Sequence, residues 1–331
     1  MKIAVIGSGS WGTALAQVLA DNGHEVVLKG RNPAEAADIN LYHRNSKFFG
    51  NTEISHRLTA STSYDVVKDA EVCVLSVPVA AISATAAEVA ACLEKPAIII
   101  NVAKGFDPAT KDRMSLTIRR QMGDKASEVV SLIGPSHAEE VIIRLLTSVN
   151  AVCEDEEAAR TVQELFANSY FRVYRNTDVL GAEIAAALKN IMAIASGILT
   201  GLNQGDNARA ALMTRGLHEI TRYGLHFGGK QETFLGLNGV GDLIVTCSSV
   251  HSRNYQAGLA IGKADDAAEF LKNNIKTTEG IATTKVVYEK AKEEGIDMPI
   301  TEAVYQVLYE LKQPSEVIGG LMSRSLKSEI D

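Results

Sequence analysis

Residues 1–23 read MKIAVIGSGSWGTALAQVLADNG, and this stretch decides the fold of the first half of the chain. The short apolar run from Lys2 to Ile6 predicts a strand, and residues 13–20 predict the helix that follows it. Asp21-Asn22-Gly23 ends that helix, and HEVVLK at residues 24–29 predicts a second strand. The first 29 residues therefore predict one βαβ unit with a glycine-rich turn after its first strand.

The glycines of this turn, Gly7, Gly9 and Gly12, form a GxGxxG pattern. Gly7 permits the tight turn, Gly9 lets the backbone approach a pyrophosphate, and Gly12 lets the helix pack close to the strand. Backbone N–H groups at the start of the helix would then face the anion. Three ordinary turn glycines are the alternative, but the strand before them and the helix after them favour a dinucleotide site.

The residues that end the second strand bear on the choice of dinucleotide. NAD-selective sites usually have an acidic residue there, because it accepts hydrogen bonds from the ribose hydroxyls. Here residues 28–32 read LKGRN, without Asp or Glu. Arg31, with Lys29 beside it, would supply positive charge to a 2′-phosphate, although a solvated surface charge is the alternative. The charge therefore favours NADP(H) and leaves NAD(H) as the second choice.

Short β-branched runs alternate with helical patterns up to Asn176, which predicts a mostly parallel sheet with crossover helices. After Asn176 almost every segment has a helical pattern. We therefore expect an α/β Rossmann-type NAD(P)-binding domain over residues 1–177 and an all-α substrate-binding and catalytic domain over residues 178–331. Further strands are predicted in AEVCVLSVP, AIIINVAKG, VVSLIG, TSVNAVC and YFRVYRN.

Composition narrows the class of protein. The 331 residues are 46% hydrophobic with a net charge of −7 and no basic block, which indicates a globular protein that does not bind nucleic acid. The four cysteines lie far apart without metal-binding spacing, so we expect reduced buried thiols and no metal. We see no signal peptide and no apolar run of about 20 residues, and expect a cytoplasmic protein without membrane insertion.

Three placements in the second half suggest a site. Lys189 interrupts the apolar pattern EIAAALKNIMAIA, so we expect it to be paired, to have a lowered pKa or to face a cleft, unless it snorkels to the surface. Asp242 lies between glycines and an apolar run, where it could offset a lysine, orient a substrate hydroxyl or begin a helix. Ser252-Arg253-Asn254 offers three successive donors to a phosphate, or forms a surface loop.

Over nearly its whole length the chain resembles the bacterial-type NAD(P)-dependent glycerol-3-phosphate dehydrogenases. The resemblance rests on long motifs in matching order: GSGSWGTALA, VAKGFDP, IGPSHAEEV, AEIAAALKNIMAIASGI, QGDNARAALMTRGL, ETFLGLNGVGDLIVTCSSVHSRN and TTEGIATTK. It implies reversible reduction of dihydroxyacetone phosphate to sn-glycerol 3-phosphate for phospholipid synthesis. The apolar second half is compatible with a homodimer.

The resemblance also implies residue roles. Lys189 would donate and accept the proton, and Lys104 would contact both cofactor and substrate. The other implied substrate contacts are Gly134, Ser136, Asp242, Ser252, Arg253 and Asn254. The other implied cofactor contacts are Gly7, Gly9, Ser10, Trp11, Gly12, Arg31, Ala138, Arg253, Thr277 and Glu279.

Departures from the family pattern occur at Gly30, where an aromatic residue is common, at Leu146, and at Thr277-Thr278, where valines are usual. None falls on a matched catalytic position. Two other functions are alternatives, and the first of them shares the two-domain plan. One is a dehydrogenase of the 3-hydroxyacid or 6-phosphogluconate type, and the other is a non-catalytic NADP(H)-sensing regulator, against which the retention of Lys104 and Lys189 argues.

Overall fold

The structure is a computed structural model that describes residues 1–274, 278–326 and 328–329. By packing, the chain divides into a first unit of Met1–Ala186 with Gly228–Asp242 and a second unit of Ala187–Phe227 with Leu243–Asp331. This division differs from the expected boundary between residues 177 and 178, because residues 178–186 and 228–242 pack with the first unit. The functional division at 177/178 stays a prediction.

The first unit contains an eight-stranded sheet in the order β3-β2-β1-β4-β5-β6-β7-β8. Among the adjacent pairs of this sheet β6–β7 is antiparallel and the other six are parallel, so the sheet is mostly parallel, as predicted. The strands are β1 Lys2–Ile6, β2 Glu25–Lys29, β3 Leu58–Ser61, β4 Val72–Leu75, β5 Ala97–Asn101, β6 Ala126–Ile133, β7 Thr147–Val152 and β8 Phe171–Asn176.

Helices cover both faces of this sheet. Alternate residues of β1 enter different cores, Ile3 and Val5 on one face and Ala4 and Ile6 on the other, as the two-residue period of a strand requires. The helices of the first half of the chain are α1 Ser10–Asp21, α2 Pro33–Tyr42, α3 Ser46–Phe49, α4 Val79–Cys92, α5 Met114–Met122, α6 Ala138–Val141 and α7 Glu156–Phe166.

Beyond β8 the described residues form helices and loops without a further strand, as the change of pattern after Asn176 predicts. A π-helical turn at Leu237–Gly241 precedes α11. The helices are α8 Val179–Gly201, α9 Asp206–His226, α10 Gln231–Leu235, α11 Asp242–Ser248, α12 Arg253–Ala264, α13 Ala268–Asn273, α14 Glu279–Glu294, α15 Pro299–Tyr309 and α16 Pro314–Met322.

Helix α8 corrects one expectation from the sequence. Among the described residues it is the one helix that is long and apolar enough, by length and composition, to cross a membrane. The expectation that no such segment exists is therefore wrong. However, 94% of its most apolar window is buried within the protein, which is also typical of a core helix.

Candidate functional site

The glycine turn joins β1 to α1, and its conformation and packing require glycine at two of its three glycine positions. Gly7 has a φ of +116°, and a Cβ there would overlap the carbonyl oxygen of Ser76. A Cβ on Gly12 would overlap the carbonyl oxygen of Gly7, so the helix packs against the turn as predicted. By contrast, a Cβ on Gly9 would meet no atom within 4 Å. The open side at Gly9 fits a close approach by a pyrophosphate.

Ser10 and Trp11 form the first turn of α1, directly after this open position. Both are half-buried, and Trp11 packs against the apolar core of the sheet. The free backbone N–H groups of a helix start and its positive dipole end attract anions. The turn and the two residues after it therefore fit the phosphates of a dinucleotide.

The two cations at the end of β2 differ in their surroundings. Arg31 is exposed and has no ion pair with the residues that the structure describes. Lys29 is buried, with its Nζ 3.7 Å from the centre of the Tyr64 ring, and burial lowers its pKa. The expectation that Lys29 assists Arg31 is not supported, because its ammonium is held against Tyr64. Arg31 remains the candidate for a 2′-phosphate.

The sequence pattern missed an acidic residue near the glycine turn. Glu35, in the first turn of α2, accepts a hydrogen bond from Ser8 Oγ at 3.1 Å. Ser8 also lies against Gly30, where a Cβ would come within 2.7 Å of its hydroxyl oxygen. The aromatic residue common in the family at Gly30 would displace Ser8. Glu35 was not predicted because it lies beyond the end of β2 in sequence, in the first turn of α2, and only the fold brings its carboxylate to the glycine turn.

Four predicted residues meet near the carboxyl ends of β5 and β6. Lys104 Nζ donates to Asp242 Oδ2 at 2.7 Å and to the carbonyl oxygen of Gly134 at 3.0 Å. Ser136 Oγ donates to the same carbonyl at 3.0 Å. Asp242 is 1% exposed, so its charge is compensated by a lysine at short range. Asp242 thus both begins α11 and offsets the charge of a lysine. These are two of the three roles expected for it from the sequence.

The backbone around this cluster is tightly packed. A Cβ on Gly134 would lie 2.8 Å from Val149 Cα, so a side chain there would push β7 away. Ala138 is buried and begins α6, three residues after Pro135. These features hold the Gly134 carbonyl and the start of α6 at one edge of the sheet.

In the second unit, Lys189 is buried within α8. Its Nζ donates to Thr246 Oγ1 at 2.6 Å, and Thr246 is also buried. The alternative that Lys189 snorkels to the surface is therefore wrong. Asn190, the next residue, is buried as well.

The start of α12 carries the three predicted phosphate contacts. Ser252 is the N-cap, and its Oγ accepts a hydrogen bond from the N–H of Tyr255 at 3.2 Å. Arg253 is exposed at the first position of this 12-residue helix. Asn254 is buried, and its Oδ1 accepts from the N–H of Gly280 at 2.9 Å. A helix start with an adjacent arginine is a favourable phosphate site, and the surface-loop alternative is wrong.

Asn254 also connects this helix start to the late cofactor motif. Glu279 is half-buried and begins α14, next to Gly280. A Cβ on Gly280 would come within 2.7 Å of the carbonyl oxygen of Asn190 and 2.8 Å of Asn254 Oδ1. The predicted contact Thr277 lies outside the described residues.

Within residues 1–274, 278–326 and 328–329, no three His, Cys, Asp or Glu side chains are grouped as metal ligands. The four cysteines, all within the described residues, form no disulfide, and all but Cys92 are buried. Burial raises the pKa of Cys153 to about 11. Leu146, one of the departures, is exposed.

Comparison with known proteins agrees with this arrangement. Residues 2–159 match the model of the NAD-dependent glycerol-3-phosphate dehydrogenase N-terminus, and residues 178–319 match that of its C-terminus. A glycerol-3-phosphate dehydrogenase [NAD(P)+] from Geobacillus kaustophilus is 48% identical over 100% of this chain and 96% of its own length. One from Streptococcus uberis is 47% identical over 99% and 98%.

A solved structure supports the same assignment. The glycerol-3-phosphate dehydrogenase of Coxiella burnetii superposes with a TM-score of 0.90 at 33% identity, over 97% of this chain and 98% of that one. Both halves of the chain are thus matched, in order, by one family. The chain belongs to the NAD-dependent glycerol-3-phosphate dehydrogenase family.

Proposed function

We propose that this protein catalyses the reversible reduction of dihydroxyacetone phosphate to sn-glycerol 3-phosphate with NAD(P)H, and so supplies glycerophospholipid synthesis. One observation carries the proposal: full-length relatives that are 48% and 47% identical are glycerol-3-phosphate dehydrogenases. The chemistry needs a hydride for the ketone carbon and a proton for its oxygen. The described residues offer groups for the proton, the phosphate and the cofactor.

The glycine turn and α1 would hold the pyrophosphate, with Gly9 allowing the close approach and Ser10 and Trp11 flanking it. Arg31 would bind a 2′-phosphate, and Ala138 and Glu279 would contact the cofactor elsewhere. When bound, the dinucleotide supplies the hydride.

Lys189 is the proposed proton donor in reduction and acceptor in oxidation. A buried ammonium is costly unless it is hydrogen-bonded, and Thr246 Oγ1 supplies one acceptor. General acid catalysis of this kind contributes about 10²–10⁴-fold in rate. Lys189 would therefore protonate the oxygen of the ketone as it becomes an alkoxide.

Lys104 and Asp242 form the second proposed substrate group. Because the pair is hydrogen-bonded and Asp242 is almost fully buried, Lys104 is held in one orientation near Gly134 and Ser136. Lys104 would donate to a substrate oxygen, and Ser136 would contact the substrate beside it. Positioning of this kind lowers the entropic cost of reaching the reactive geometry.

The N-terminus of α12 is the proposed phosphate site of the substrate. Ser252 and Asn254 have their oxygens engaged in caps within the second unit, which fixes the loop that presents Arg253. The Arg253 guanidinium and the helix dipole would together bind the phosphate dianion.

The direct test is oxidation of NADPH by the purified protein with dihydroxyacetone phosphate, followed by the absorbance of the reduced nicotinamide. Oxidation that depends on the substrate supports the proposal. Demonstrated NADPH binding without turnover would favour the sensing regulator. Oxidation of a hydroxyacid without any response to glycerol 3-phosphate would favour a dehydrogenase of the 3-hydroxyacid or 6-phosphogluconate type. The family match does not favour that class.

We further propose that the protein prefers NADPH to NADH, needs no metal, and works as a homodimer in the cytoplasm without membrane insertion. The exposed charge of Arg31 supports the first point, and the burial of α8 supports the absence of membrane insertion. Light scattering should give twice the 35.5 kDa mass of one chain. Activity should persist after treatment with a chelator.

A further inference from the structure

Glu35 places a carboxylate beside the glycine turn, where the predicted cofactor contacts include none. Its Oε2 accepts from Ser8 Oγ at 3.1 Å, and its Oε1 accepts from Lys47 Nζ at 2.6 Å and Asn32 Nδ2 at 3.3 Å. The side chain is 12% exposed. Three donors therefore hold the carboxylate in one orientation against Ser8, a residue of the turn itself.

From its position in α2, Glu35 would be expected to form a capping box, but its contacts are different. Asn32 is the N-cap of α2, and its Oδ1 accepts from the N–H of Ala34. A glutamate three residues after an N-cap usually completes a capping box by accepting from the N-cap N–H. Here the carboxylate accepts instead from Ser8, Lys47 and the side chain of Asn32. Oε1 thus contacts the side chain of the N-cap, whereas Oε2 is directed toward Ser8 in the glycine turn.

The charge balance around the turn follows from these contacts. Burial raises the pKa of Glu35, but hydrogen bonds from Lys47 and Ser8 more than offset this, so its pKa lies below the ordinary value and it is ionised at neutral pH. Its charge compensates Lys47, while Arg31 keeps its own charge exposed. Oε2 has Ser8 as its donor, which leaves room for a second donor on that oxygen.

We propose that Glu35 is a specificity-determining residue that keeps NADH usable in this site, an inference that rests on the proposed dinucleotide function. Its Oε2 would accept a hydrogen bond from a ribose hydroxyl of the adenosine, as an acidic residue does in NAD-selective sites. The same carboxylate repels a 2′-phosphate and occupies Lys47, which would otherwise attract one. Arg31 and Glu35 thus act in opposite directions on cofactor choice.

The test is the pair of dissociation constants for NADPH and NADH, measured by calorimetry without substrate. Glu35→Gln keeps the size of the side chain and removes its charge. We expect the affinity for NADPH to rise and that for NADH to fall, so that their ratio shifts toward NADPH by about tenfold or more. Glu25→Gln, at the opposite end of β2, is the matched control and should leave both constants unchanged.

A second variant separates the two contributions of Glu35. Adding Lys47→Gln to Glu35→Gln should remove the gain in NADPH affinity and retain the loss of NADH affinity. Where Glu35→Gln does not fold, Ser8→Ala replaces it, because it releases the carboxylate from the turn and should weaken NADH more than NADPH.

The outcomes distinguish this inference from the proposed function. A ratio of dissociation constants that stays within about twofold of wild type in a folded variant overturns the role of Glu35 alone. Wild-type protein that binds neither dinucleotide overturns both. Wild-type protein that binds both dinucleotides, shows the expected shift in the variant, and fails to reduce dihydroxyacetone phosphate overturns the proposed function and supports the inference.

Discussion

Replacing Gly9 with alanine should weaken cofactor binding and leave the fold intact. A Cβ at this position meets no atom within 4 Å, and the backbone at φ −70°, ψ 179° is extended and open to any residue. Alanine also restricts the unfolded chain, which stabilises the folded state by about 0.4–1 kcal/mol. The new methyl group would occupy the space through which the pyrophosphate approaches. We therefore expect the Kd for NADPH to rise at least tenfold, or about 1.4 kcal/mol.

Gly7→Ala is the contrasting variant two residues away. At a φ of +116° alanine is strained, which costs about 1–3 kcal/mol, and its Cβ would also overlap the Ser76 carbonyl. This variant should lose several kcal/mol of unfolding free energy before any cofactor is added. We therefore expect Gly9→Ala to lose affinity for NADPH and Gly7→Ala to lose unfolding free energy, although both glycines belong to one motif.

Calorimetric titration with NADPH and urea unfolding without it measure the two effects separately. If Gly9→Ala binds NADPH with wild-type affinity, the pyrophosphate does not pass Gly9 and the interpretation of the turn is wrong. If Gly9→Ala instead loses more than about 1 kcal/mol of unfolding free energy, the position is not open space.

Three further variants test other groups. Lys189→Ala should reduce turnover by about 10²-fold or more in a variant that still folds, and near-normal turnover would contradict its role. Arg31→Asp should weaken NADPH more than NADH in titrations; equal effects would remove the argument for a 2′-phosphate contact. Burial raises the pKa of Glu219 to about 7 from 4.5, so its contribution to stability is full below pH 4.5 and is lost as pH rises through 7. Glu219→Gln cannot ionise, so from pH 4.5 to pH 8 the unfolding free energy of the variant, measured in urea, should rise by about 3 kcal/mol relative to wild type. A difference between the two proteins that does not change with pH would contradict the raised pKa.

Much of the fold was predictable because buried parallel strands are near-continuous apolar runs bounded by glycine or proline. Strand β3 was missed because it has four residues, LTAS, and only Leu58 is buried. It forms one edge of the sheet, where its backbone pairs with the neighbouring strand β2. The apolar runs that predict the other strands arise because those strands are buried, and most of β3 is not buried.

The site was predictable in its members but not in its contacts. Lys104 and Gly134 follow adjacent parallel strands, and such residues meet at one edge of a sheet. Asp242 comes from residues 228–242, which pack with the first unit although they lie in the helical half of the chain. Its ion pair with Lys104 spans 138 positions, and local spacing contains no information about it.

The charges at the end of β2 show why position along the chain is an incomplete guide to cofactor choice. Lys29 is next to the predicted 2′-phosphate site in sequence, yet its ammonium lies over Tyr64. Glu35 is four residues beyond Arg31, yet its carboxylate touches the glycine turn because α2 begins at Pro33 and turns back. A cofactor phosphate responds to the charges that surround it in space. The ammonium of Lys29 lies over Tyr64, and the carboxylate of Glu35 lies beside the glycine turn. We therefore expect the site to discriminate less against NADH than residues 28–32 alone predict.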